Sequence, residues 1–196
     1  MMARLTIVRG SHIRNSSKNG HRTYKPLRNF IRYLTLGRLA EQSVQARSQR
    51  GRWLDQGGKQ HSQGQVEQWA KAKVHRFRYD HAYQLLLSTG KGGLDSADFN
   101  AALQAGSDIS NVREWRMILH SDTRNQHVHA ILFRHEPFSK KAYLAWQQTM
   151  QHTLDKRQIA RLLEQEQTLS QQAAQSSLAI EQTHSKQHNH NLGIDL

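Results

Sequence analysis

Cysteine is absent from this chain of 196 residues, which excludes disulfides and thiolate ligands and leaves nitrogen and oxygen as the donors for any bound ion. An intracellular, cytoplasmic protein is expected. No apolar run approaches the roughly 20 residues that span a bilayer, so no membrane partner is expected. The opening MMARLTIVRG also lacks the apolar stretch and small-residue cleavage site of a secretory signal. Acidic residues are scarce, with 15 Asp and Glu against 28 Lys and Arg and a net charge of +13. That excess goes beyond what solubility needs and points to a polyanion. Because the basic residues are spread through segments with folded patterning, nucleic acid is favoured over a membrane surface. With 36% hydrophobic residues the chain can bury one modest core, so one domain with an accessory tail is expected.

Residues 3–9 alternate as a first strand and are followed by a polar, basic connection. Pro26 suits the first position of a helix, in which Leu27, Phe30, Ile31 and Leu34 share one face while Arg28, Arg32 and Arg38 make a basic one. Residues 47–65 are rich in glycine and basic side chains with little periodicity, which predicts a mobile loop or lid. A helix is predicted over 66–74, a strand over 75–89 and a short helix capped by Asp95 or Ser96 and stopped at Gly106. EWRMILH and HVHAILFRH then read as a β-hairpin. From Ser139 the chain turns helical and glutamine-rich, with Tyr143, Trp146, Met150 and Leu154 in an irregular apolar stripe, and a disordered end is predicted from about Thr183.

The hairpin carries the chemistry. If Asp122 to Asn125 form the turn, His120 faces His127 with Cβ atoms about 5 Å apart, and His129, two residues on, points to the same side. Three imidazoles converging from one hairpin can hold a divalent cation and leave positions open for water or substrate, the arrangement of a catalytic site. Asp122 is a candidate outer-shell support for a ligand ring. The alternative is that 13 histidines generate H-x-H by chance, or that neutral rings fill a sheet surface. His188-Asn-His190 lies in a polar tail without a hydrophobic frame and does not indicate a nuclease motif. A nucleotide hydrolase with alternating histidines would need a third one where Ile131 stands.

The run His120-Ser-Asp122-Thr-Arg-Asn125-Gln-His127-Val-His129, followed by apolar residues, resembles the third motif of conjugative and mobilisation relaxases, members of the HUH endonucleases. Gln126 departs from the proline usual there. Tyr33-Leu34-Thr35-Leu36-Gly37 resembles the family's early nucleophile motif, and Tyr83 to Ser88 its strand ending in serine; the likeness covers about residues 20–135. It implies an α+β fold, a central antiparallel sheet flanked by helices with the early helix leaning over the metal. A helical extension would span 138–183 after a nicking domain at 1–137, and 184–196 would form a disordered tail. It also implies a metal-dependent, site-specific endonuclease and strand transferase on single-stranded DNA, encoded by a plasmid or mobile element. Tyr33 would attack phosphorus in line to give a 5′-phosphotyrosine.

Tyr24 and Tyr143 are alternative nucleophiles, and Tyr143 would move the chain to the replication initiators or transposases of the same superfamily, whose tyrosine follows the histidines. Mg²⁺ or Mn²⁺ is the expected ion, and three imidazoles also suit Zn²⁺ or Ni²⁺ in a purified sample. Arg22, Lys25, Arg28, Arg32 and Arg38 are predicted to line a groove for backbone phosphates, with Tyr24, Trp53 or Phe77 offering faces to bases. With about 60 residues after the hairpin, unwinding would fall to an accessory relaxosome or helicase protein. A non-enzymatic basic DNA-binding protein is the other class.

Overall fold

A computed structural model describes residues 6–17, 19–37, 50–90, 93–121 and 126–191. The chain divides into a unit Met1–Gln158 and a second unit Ile159–Leu196. Among the described residues of the first, six strands form one sheet in the order β1-β4-β6-β5-β2-β3. They are β1 (Thr6–Arg14), β2 (Arg50–Asp55), β3 (Gln60–His61), β4 (His81–Thr89), β5 (Trp115–His120) and β6 (His127–Arg134). Every neighbouring pair is antiparallel. The helices among the described residues are α1 (Lys25–Leu36), α2 (Gln63–His75), α3 (Ser96–Ser110) and α4 (Lys140–Asn191).

Helices cover both faces of the sheet, so β6 reads as a continuous apolar run over Ala130 to Phe133. Strand alternation sends its residues to two cores. On one face Leu85, Leu87, Met117, Val128 and Ala130 meet Phe99 and Leu103 of α3 and Trp146, Met150 and Leu154 of α4. On the other, Trp53, Ile118, Ile131 and Phe133 meet Leu27, Ile31 and Leu34 of α1 and Val66, Ala70 and Val74 of α2. The α+β class with an antiparallel sheet and flanking helices is as the sequence suggests.

Several local expectations are corrected. Of the lid expected over 47–65, residues 47–49 lie outside the described residues and the rest is ordered structure: β2 pairs with β5 and with β3, α2 begins at Gln63, and Trp53, 1% exposed, is a core residue rather than a face for bases. The strand expected from residue 75 begins at His81, because α2 runs to His75 and Arg78 turns the chain at φ 57°. Gly106 does not stop α3; it lies inside the helix where Trp146 and Met150 press against it. Asp95 caps α3, accepting from the N–H of Ala97 and Asp98. Gly37, at φ 78°, ends α1, and its N–H donates to Tyr33 O. The first turns of α4 belong to the sheet's own core, so the compact unit extends to Gln158, beyond the boundary at 137 drawn from the sequence.

In the second unit the chain is helical to Asn191, past position 183, where polar composition suggests the helical part ends. Ile159, Leu163 and Leu169 are exposed on it.

Candidate metal centre

β5 and β6 set His120 opposite His127 and Ile118 opposite His129. The three rings therefore stand on the α1/α2 face of the sheet, in line with Ile118, Ile131 and Phe133. One nitrogen from each of His120, His127 and His129 lies within 4.8 Å of the others, and the ring centroids are 5.1 to 5.2 Å apart. His120 is 3% exposed, whereas His127 and His129 are half-buried. The cluster can therefore bind a metal ion through an all-nitrogen donor set, with its open side toward the two less buried rings. Asp122 and the turn to Asn125 lie outside the described residues.

α1 lies over the cluster. His120 Nε2 is 2.9 Å from Leu34 O. A carbonyl only accepts, so Nε2 carries the hydrogen, and in the neutral ring Nδ1 holds the lone pair a cation needs. Phe30 meets His129 edge-on at 6.2 Å between centroids. Beside them a cleft of about 240 Å³ opens between Phe30, His129, Leu86, Gln84, Ser11 and Arg9. These neighbours were not visible in the motif: a main-chain oxygen has no sequence signature, and Arg9 joins only through the pairing of β1 with β4.

The chain matches no family model, no curated protein and no solved structure. Residue geometry therefore carries the functional reading. Tyr33 lies on α1 between Phe30 and Leu34, the residues that touch the histidines, and is 46% exposed. Tyr24 stands at the N-terminal end of α1 with its hydroxyl buried and without a hydrogen-bond partner among the described residues. Burial, then Glu67, push its pKa up to about 12 against Arg28 and Arg32, which disfavours a phenolate. Tyr143, half-buried, packs with Phe138 and Trp146 beside Gly10, against the core on the opposite face of the sheet from the histidines. Burial and then Tyr83 also raise its pKa.

The basic residues separate by role. Arg22 is structural: it pairs with Asp80 at 2.8 Å and donates to Val74 O and Tyr79 O. Arg28 has a buried Nε. Arg32 reaches Glu67 at 3.0 Å but stays half-exposed, and Lys25 is exposed. Arg38 lies outside the described residues. Trp53 Nε1 donates to Thr35 Oγ1 at 2.9 Å and ties the C-terminal turn of α1 to β2 next to the cluster.

Proposed function

We propose that this chain is a relaxase-like enzyme that nicks and rejoins single-stranded DNA, with Tyr33 as nucleophile and His120, His127 and His129 as ligands of a divalent cation, Mg²⁺ or Mn²⁺. The observation that carries the reading is the convergence of three imidazoles under the helix that bears an exposed tyrosine. A bound cation would supply charge stabilisation at the scissile phosphate. The chain's own residues do the rest. Leu34 O orients His120, so the position of α1 and that of the ligand ring are set together. The Tyr33 hydroxyl attacks phosphorus, its O–P bond forms as the bond to the 3′ oxygen breaks, and its proton leaves to solvent or a basic side chain. A 5′-phosphotyrosine and a free 3′-hydroxyl result, and attack by a 3′-hydroxyl reverses the step without ATP. Arg9 and Phe30 in the adjoining cleft suit a phosphate and a base of the same strand.

The tyrosine-after-histidine alternative is disfavoured because Tyr143 lies half-buried on the face of the sheet opposite the histidines. Incubation with a labelled pool of single-stranded oligonucleotides and Mn²⁺, followed by denaturing electrophoresis, tests the proposal. A covalent band is expected, and it should vanish in Tyr33→Phe and persist in Tyr143→Phe. Oligonucleotide binding without any adduct would leave a basic DNA-binding protein.

A further inference from the structure

The end of the sheet remote from the histidines carries a second arrangement of aromatic rings and cations. His127 and Arg134 lie at opposite ends of β6, seven residues apart, which is about 23 Å along a strand at about 3.3 Å per residue. There the chain leaves α2 through Arg76, Phe77, Arg78 and Tyr79. Phe77 is 50% exposed. Lys73 Nζ lies 5.2 Å from the centroids of both Phe77 and Tyr79, and the Arg76 guanidinium 5.4 Å from Phe77. Tyr79 stacks on His135 with centroids 4.0 Å apart and planes 19° from parallel. A cavity of about 480 Å³ adjoins them, lined by Lys73, Tyr79, Arg113, Arg134 and His135.

This turn is built to hold its shape. Phe77 N–H donates to Ala72 O and Tyr79 N–H to Lys73 O, each at 2.9 Å. Arg22 bonds Tyr79 O and pairs with Asp80. Arg78 takes the left-handed backbone at φ 57°, a conformation non-glycine residues adopt when their surroundings impose it. The backbone that carries the Phe77 ring is thus held in place while the ring stands half in water, which hydrophobic burial alone would not favour. Two carboxylates also line the cavity: Glu114 is neutralised by Lys73 at 2.7 Å, and Glu136 is exposed, so the cations outnumber the acids there. Arg78 and Arg113 are exposed and have no ion-pair partner among the described residues.

We propose that this turn and cavity form a second binding site for single-stranded DNA, distinct from the histidine cluster, in which Phe77 stacks a base and Arg78 and Arg113 meet neighbouring phosphates. Base stacking on a fixed ring beside unpaired cations is the chemistry of single-strand binding; a duplex keeps its base faces covered and would use only the cations. The choice of DNA over RNA rests on the function proposed above.

The test is fluorescence anisotropy of the full chain with a labelled oligothymidylate of about 20 nucleotides, in EDTA so that no cation occupies the histidines. Phe77→Ala is expected to weaken binding about 5- to 150-fold, as loss of one stacked base does. Phe77→Leu, which keeps apolar packing, should weaken it comparably. Arg113→Gln should flatten the slope of log affinity against log salt by about 0.7. A duplex of the same sequence should be bound equally by wild type and Phe77→Ala. Unchanged oligothymidylate binding in both Phe77 variants, or an equal loss for duplex, overturns the site, and tighter binding of oligouridylate overturns the assignment to DNA. Because binding is read without metal and without an adduct, failure here and failure of the nicking reaction are separate results.

Discussion

His120 Nε2 donates to the carbonyl oxygen of Leu34 across 2.9 Å, joining residues 86 positions apart. A ring on the central hairpin is thus oriented by the main chain of the helix that lies over it. In a metal site, such an outer-shell acceptor sets which nitrogen is free to ligate and how basic it is.

Metal addition should stabilise the protein. At a cation concentration about 100 times Kd the gain is about 2.7 kcal/mol, which for a unit of this size raises Tm by about 5–10 °C. Thermal melts with Mn²⁺ and Ni²⁺ should show the rise in wild type and in His152→Ala, which lies outside the cluster. His129→Ala should abolish it; an equal rise in that variant would rule out the three-histidine site.

Trp53→Phe should both destabilise the fold and loosen the metal site. The substitution removes the bond to Thr35 Oγ1 and leaves space in a core position 1% exposed, a loss of about 1–3 kcal/mol. Since Thr35 follows Leu34, the metal-induced rise in Tm should shrink as well. Urea denaturation with and without Mn²⁺ measures both effects, and a full metal response in a destabilised variant would show that the anchor does not reach His120.

Gly106→Ala should be destabilising although it removes a glycine from a helix. The propensity gain is about 1 kcal/mol. A Cβ there would lie 2.8 Å from both Met150 Cγ and Trp146 Nε1, and overpacking of that kind costs about 1–3 kcal/mol. A urea midpoint at or above the wild-type value would show that α4 yields to the added methyl.

Acid should open the β2–β3 hairpin through Asp55. Burial alone would raise its pKa, but the bond to His61 at 2.8 Å and those from the N–H of Lys59 and Gly57 outweigh it and hold the carboxyl below the usual range. A folded pKa below the unfolded value contributes stability above about pH 4, and this contribution is lost as pH falls through the folded value. Asp55→Asn should lower stability at neutral pH and flatten its decline below pH 4. An unchanged acid limb in the variant would exclude Asp55 as a source of that decline.

Which parts were legible in advance follows from the range of the interactions involved. The sequence by itself determined that β5 and β6 pair and that His120, His127 and His129 share a face, since a period of two and the few residues between the strands limit register locally. It also determined the amphipathic α1 and the Asp95 cap of α3. Only the tertiary structure decided that Leu34 O meets His120, that Trp53 is core, that residues 50–61 join the sheet, and that Tyr143 faces the opposite core. Each of these depends on contacts between segments far apart in the chain, in which a backbone carbonyl looks the same in every residue and a glycine-rich stretch pairs only once a partner edge exists.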